Sequence, residues 1–302
     1  MPLVVSLLDI QDIIQKMSDK LQGNYSFTPD NVYQAGNREN RAVIGRLVDE
    51  VTLPGSRIDN AAALIELVQK CRNGESCLLL AEHFGNFDFP TVYRLMEKTP
   101  GLGPQAAEML LPIRGMKLTE TNPLTAVFAR SFDTIVIYPS RFLDKISDPQ
   151  ELKEVRKLSV PINHAAMREM ITHKHNGRLI LVFPAGTRYR PWDPDSGKGV
   201  REIYSYLKAF DNVIFMAING NTLPPSKTED MTQDKAEKDL MILTCSNVIN
   251  SRQFKKDNEK STPADRDSRQ YVVDQVMEEL RKLHAKVEPA RLKELARIKP
   301  SG

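Results

Sequence analysis

The chain has 302 residues, of which 41% are hydrophobic and 27% are charged. A chain of that length and composition forms one large globular domain, or a large domain with a small one, and is too apolar to be intrinsically disordered. The net charge of +3 suits an anionic substrate, an acidic carrier protein or a membrane surface. It is too small to indicate nucleic acid, so we expect no nucleic-acid partner.

The beginning of the chain is predicted to be helical. Apolar residues recur at three- and four-residue steps from Ser6 to Leu21, and two further helical stretches end at Pro54 and Asn73. We therefore predict a small N-terminal helical domain over residues 1–73.

Targeting signals and cysteines both favour a reducing compartment. The N-terminal segment lacks the basic start of a signal peptide, and no apolar run approaches the ~20 residues that a membrane span requires. The three cysteines, Cys71, Cys77 and Cys245, form no C-x-x-C pair. We expect a soluble protein of the cytoplasm or an organelle stroma, in peripheral contact with a membrane if its substrate is a lipid.

From residue 74 onward, short apolar runs alternate with helical stretches. Five runs are predicted to be strands, at 77–81, 134–138, 179–183, 213–218 and 240–243. Strands this apolar are buried on both faces, which indicates an α/β domain over residues 74–302 with a mixed, largely parallel central sheet flanked by helices. The intervening helices are predicted at 151–175 and 199–210, and a long helix with a polar face closes the domain.

Two polar segments near the C-terminus have less distinctive patterns. The segment 224–239 is rich in Lys, Glu, Asp and Thr and is predicted to be an exposed loop. The tail after Val287 is basic and amphipathic. It is either a solvated terminal helix or a helix that contacts an anionic surface.

A histidine and an aspartate follow the first predicted strand. His83 lies at its carboxyl end, where α/β proteins place reactive groups, and Gly85-Asn86 allows the turn that would return Asp88 to the imidazole ring. A carboxylate on one ring nitrogen fixes the tautomer and stabilises the imidazolium that forms when the other nitrogen takes a proton. His83 and Asp88 are therefore the candidate catalytic pair, although a structural histidine beside an unrelated aspartate is the alternative.

The third strand ends in a segment that is rich in arginine. Arg188 and Arg190 stand at alternate positions of the run from Phe183 to Pro191, so in an extended segment they point to the same side. Guanidinium groups bind phosphate in a bidentate way, and Gly186 lets the backbone approach a ligand closely. The segment is a candidate phosphate site.

The two motifs together resemble those of the glycerolipid acyltransferases. That family has a His-x4-Asp motif followed by Phe-Pro-x-Gly-Thr-Arg, and this chain is most similar to the soluble glycerol-3-phosphate 1-acyltransferases of plant plastids over roughly residues 75–225. The resemblance rests also on Thr121-Asn122-Pro123-Leu124 and Leu223-Pro224-Pro225. It departs at Phe142, where the plastid enzymes have the second member of a basic pair.

The resemblance implies a reaction and a set of roles. His83 would be the general base and Asp88 its partner, while Arg141, Arg188 and Arg190 would bind the phosphate of glycerol 3-phosphate. The acyl donor would be an acyl carrier protein or coenzyme A thioester, and neither a metal nor an organic cofactor is implied. Acylation of lysophosphatidate or another glycerolipid, and a non-enzymatic protein that binds lipid or acyl carrier, are the alternatives.

Overall fold

The computed structural model describes residues 27–116, 130–144, 146–227 and 234–298. Its strands are β1 (Tyr33–Gln34), β2 (Arg57–Asp59), β3 (Cys77–Ala81), β4 (Leu110–Gly115), β5 (Thr134–Ile137), β6 (Leu179–Val182), β7 (Asn212–Asn219), β8 (Ile242–Cys245) and β9 (Ile249–Asn250). Its helices are α1 (Arg38–Val51), α2 (Ala61–Arg72), α3 (Asp88–Lys98), α4 (Pro104–Ala107), α5 (Ser140–Leu143), α6 (Pro149–His175), α7 (Ile203–Ala209), α8 (Ser251–Lys260) and α9 (Ser268–Ile298).

The strands form one sheet in the order β1-β5-β4-β6-β3-β7-β8-β2, with β9 paired to β7. Strands β5, β4, β6, β3 and β7 run parallel to one another. Strand β1 pairs with β5 in the antiparallel sense, and β8 and β9 both pair with β7 in the antiparallel sense. Strand β3 lies between β6 and β7. The residues that follow β3 and β6 therefore leave the sheet side by side at the same edge.

Each face of the sheet is covered by its own layer of helices. Along β3, Leu79 belongs to a core that also contains residues of α1, α2 and α3. The alternate residues Leu78 and Leu80 belong to a core with residues of α6, α7 and α9. All five residues of β3 are buried, as expected for a strand that is covered on both faces. The predicted α/β fold with a largely parallel sheet is confirmed.

Some strands escape prediction from sequence. The five predicted strands are all present, the last of them displaced by two residues, but β4 was not predicted. It contains Pro112 and Arg114, which strand interiors disfavour, yet it pairs with both β5 and β6. Arg114 Nε donates to Thr134 Oγ1 at 3.0 Å. Burial of the Arg114 guanidinium, together with the charge of Arg130, lowers the pKa of Arg114 to about 9.

The first part of the chain contributes to the same sheet. Helices α1 and α2 coincide with two of the predicted N-terminal helices, and β1 and β2 pair with β5 and β8. The helix predicted from Ser6 lies outside the described residues, as do Thr121 to Leu124. A division into domains 1–73 and 74–302 stays a prediction. Within the described ranges, no helix is both long and apolar enough to cross a bilayer.

The double burial of β3 predicts a large cost for a cavity in its centre. Leu79 is fully buried, so Leu79→Ala should lower the free energy of unfolding by about 2–5 kcal/mol. Leu158→Ala, at a side chain that is 65% exposed on α6, should change it by no more than about 0.5 kcal/mol. Urea denaturation of both variants measures the difference, and equal effects would contradict the assignment of β3 to the core.

Candidate active site

The turn after β3 brings His83 and Asp88 into contact. Asp88 is the first residue of α3, and its side chain is almost completely buried. Its Oδ2 lies 2.9 Å from His83 Nδ1 and accepts hydrogen bonds from the backbone N–H groups of Phe84 at 2.6 Å and Gly85 at 2.9 Å. An ionised carboxylate only accepts hydrogen bonds, so with Asp88 ionised a neutral His83 holds its proton on Nδ1 and leaves the lone pair of Nε2 free. That is the arrangement of a general base with its orienting partner.

The turn is held in shape by a neighbouring loop. A Cβ atom at Gly85 would lie 2.6 Å from Asn221 Oδ1 and 2.7 Å from the Leu223 carbonyl oxygen, so a side chain at position 85 would collide with this loop. Asn221 Nδ2 also donates to the Phe84 carbonyl at 3.2 Å. The loop after β7 thereby holds the Phe84–Gly85 peptide, whose N–H binds Asp88.

The second motif packs directly on the first. The rings of His83 and Phe183 are stacked, with centroids 4.0 Å apart and planes inclined by 12°. The backbone N–H of Tyr189 donates to the His83 carbonyl at 2.7 Å, and the Tyr189 ring contacts Phe84 edge-on. The His83 side chain remains 16% exposed. The imidazole therefore lies between the turn and the arginine-rich segment and is still open to solvent.

The structure places the predicted arginines in different environments. Arg188 is buried and its Nη1 forms an ion pair with Asp234, whose other carboxylate oxygen accepts from the Ser226 N–H at 2.7 Å. Arg190 is only partly buried, and its Nη1 lies 3.4 Å from Thr187 Oγ1. The Arg188 guanidinium is thus anchored by a carboxylate, while the Arg190 guanidinium makes a long contact to a hydroxyl.

Arg141 reaches the same segment from the end of β5. Its Nη2 donates to the carbonyl oxygens of Asp195 at 3.0 Å and Lys198 at 2.6 Å, and its Cδ would lie 3.9 Å from a Cβ atom at Gly186. The structure therefore groups Arg141 with the arginine-rich segment, although the two are separated by about fifty residues of chain. Phe142 instead packs its ring against Tyr138.

One sequence expectation about the surroundings of this site is wrong in part. The segment 224–239 was predicted to be an exposed loop, but Asp234 is 2% exposed because it pairs with Arg188. Asp239 is likewise engaged, with its Oδ2 accepting from the Asn221 N–H at 2.8 Å. A polar composition predicts exposure only when the polar groups have no buried partner elsewhere in the chain.

The C-terminal helix supports the site through a second histidine. Glu82 precedes His83 but is directed to the other side of the strand end, where its Oε2 lies 2.8 Å from His284 Nδ1 and accepts from the Ile218 N–H at 2.9 Å. The His284 ring also contacts Phe84, with centroids 5.3 Å apart. Sequence reasoning missed this pair because its members are separated by about two hundred residues.

A second link connects the same helix to the catalytic turn. Arg291 is buried and donates to Asp239 Oδ1 at 2.9 Å and to Glu288 Oε1 at 2.6 Å. Asp239 in turn binds Asn221, which holds the carbonyl of Phe84. Helix α9 continues through residues 287–298, in which Arg291 is buried while Leu292 and Lys293 are exposed. Contact of this part of the basic tail with an anionic surface stays a prediction.

Comparison with known proteins confirms the predicted relationship. A segment of 164 residues, or 54% of the chain, is 28% identical to the chloroplastic glycerol-3-phosphate acyltransferase of spinach (Spinacia oleracea), and covers 32% of that protein. A segment of 150 residues, or 49% of the chain, is 27% identical to the enzyme of the same name from Arabidopsis thaliana, and covers 30% of it. The match thus spans about a third of the length of these relatives. No protein-family model matches the chain.

The Glu82–His284 pair makes stability depend on pH. Burial raises the pKa of Glu82. Burial lowers the pKa of His284, but the Glu82 and Glu288 carboxylates outweigh it and raise that pKa above 6.5. Both shifts mean that the folded chain binds more protons than the unfolded chain, so this contribution to stability falls as the pH rises. The stabilisation that comes from His284 is fully present below pH 6.5, the ordinary pKa of histidine, and is lost as the pH rises through the higher pKa of His284 in the folded chain.

His284→Gln should remove the part of that dependence that comes from the titration of His284. We expect the wild-type chain to exceed the variant in free energy of unfolding by more at about pH 5.5 than at about pH 9, because glutamine has no charge to lose. Urea denaturation at both pH values measures this difference in the free energy of unfolding. His175→Gln, at an exposed position at the end of α6, is the control and should track the wild type. A wild-type advantage that is the same at both pH values would contradict the assignment.

Proposed function

We propose that this chain, a relative of the chloroplastic glycerol-3-phosphate acyltransferases, transfers a fatty acyl group from an acyl thioester to the sn-1 hydroxyl of glycerol 3-phosphate. The observation that carries the proposal is the contact of His83 Nδ1 with the buried Asp88 carboxylate, beside a segment with several arginines. The relatives bear the name of this reaction, and the arrangement suits it.

The proposed chemistry needs one base and no covalent intermediate on the protein. His83 Nε2 takes the proton of the acceptor hydroxyl as its oxygen forms a bond to the thioester carbonyl carbon. The tetrahedral intermediate then collapses, the carbon–sulfur bond breaks, and the imidazolium returns the proton to the leaving sulfur. Asp88 stabilises the imidazolium between the two steps and keeps Nδ1 protonated throughout.

The arginines are proposed to hold the acceptor. Arg141 and Arg190 would bind its phosphate, while Arg188, whose Nη1 is taken by Asp234, would contribute its remaining donors. Fixing the phosphate converts an encounter in solution into a reaction between neighbours, which is worth several orders of magnitude in rate. The donor is proposed to be a thioester of acyl carrier protein or coenzyme A. A reducing cytoplasmic or stromal location belongs to the same proposal.

His83→Ala tests the reaction directly. Purified wild-type protein should acylate glycerol 3-phosphate from a labelled acyl thioester, and His83→Ala should reduce kcat by about 10²–10⁴-fold because it removes the base. His175→Ala should retain the wild-type rate, since that side chain is exposed at the far end of α6.

Lysophosphatidate offered in parallel identifies the acceptor. Turnover of lysophosphatidate alone would contradict the proposed substrate and keep the chemistry. No turnover of either acceptor by folded wild-type protein would contradict an acyltransferase, and would favour a protein that binds lipid or acyl carrier without reaction.

A further inference from the structure

The outer surface of α6 has an unusual composition for a solvent-facing helix. Val160, Met167 and Ile171 expose 49%, 52% and 44% of their surfaces. Their spacing of seven and four residues places them on one side of the helix. The opposite side of α6 is buried and includes Ile162, which packs in the core.

Basic residues lie on the same side of α6 and form one stripe with these apolar residues. Lys153, Lys157 and Arg168 are exposed and lie at helical spacing with Val160 and Ile171. No acidic residue of this fully described helix occupies the stripe. Glu154 stands at its flank, where it pairs with Lys157 at 2.8 Å. The stripe is defined by six residues: Lys153, Lys157, Val160, Met167, Arg168 and Ile171.

The helix that carries the stripe passes the candidate active site. Helix α6 follows α5, which carries Arg141, and the side chain of Asn163 bonds both the N–H and the carbonyl of Tyr138, at 2.7 and 3.0 Å. Tyr138 directly follows β5 at the edge of the sheet where the arginines gather. A surface that rests on the stripe would therefore lie next to the phosphate-binding region.

We infer that the stripe of α6 docks the protein on an anionic membrane surface. Exposed aliphatic side chains flanked by cations match a bilayer interface, in which the apolar groups enter the headgroup region and the cations meet anionic lipid. Only the biological purpose of this docking rests on the proposed function. A monoacylated glycerol phosphate is an amphiphile, and a docked enzyme would release it beside the bilayer.

Vesicle sedimentation tests the inference without any need for turnover. The wild-type chain should sediment with phosphatidylglycerol vesicles at low salt and much less with phosphatidylcholine vesicles. A charge variant, Lys153→Gln with Lys157→Gln and Arg168→Gln, should bind phosphatidylglycerol about a hundredfold more weakly, since each basic residue near an anionic surface contributes about a factor of five. An apolar variant, Val160→Ser with Met167→Ser and Ile171→Ser, should bind phosphatidylglycerol vesicles at least about tenfold more weakly than the wild type.

Matched measurements separate the outcomes. Leu292→Ser, at a comparably exposed apolar residue of α9, should bind as the wild type does. Thermal melting should show all variants folded, because every substituted side chain is exposed. Absence of wild-type binding to phosphatidylglycerol would overturn the inference, as would variants that bind like the wild type. Variants that keep vesicle binding but lose affinity for an acyl carrier protein would assign the stripe to that carrier instead.

Discussion

The site depends on one buried carboxylate. Asp88 accepts two backbone hydrogen bonds and the Nδ1 proton of His83 with the same oxygen, inside a turn of only six residues. A buried carboxylate is costly unless its hydrogen bonds are satisfied, so the turn and the carboxylate stabilise each other. The position of the imidazole follows from that mutual requirement, since its orienting partner has little freedom to move.

Two neighbouring structures maintain the turn. The loop after β7 leaves no room for a side chain at Gly85, and α9 secures both that loop and the strand end through Arg291 and His284. These contacts join the last helix of the described chain to the first strand of the candidate site. Helix α9 therefore serves the site although it supplies no residue to the proposed chemistry.

Sequence alone predicts the local parts of this arrangement. A fully buried strand has a continuous apolar run, and a histidine with an aspartate five residues later can meet within one turn, so β3, His83 and Asp88 are all identifiable from local pattern. The contact between Arg188 and Asp234 cannot be identified from local pattern, because nothing in a segment rich in Lys and Glu marks one aspartate as buried. Strand β4 is hidden for a related reason: its neighbours β5 and β6 impose an extended backbone that Pro112 alone would not suggest.

The most direct test of the account is the kinetics of Asp88→Asn. An asparagine oxygen in the place of Oδ2 can still accept these hydrogen bonds, but it carries no negative charge to stabilise the imidazolium that forms when Nε2 takes the proton. The account predicts a loss in kcat on the order of 10³–10⁴ with little change in the KM for glycerol 3-phosphate, in a protein that remains folded. A folded variant with the wild-type kcat would contradict it, because the His83–Asp88 contact would then be structural only.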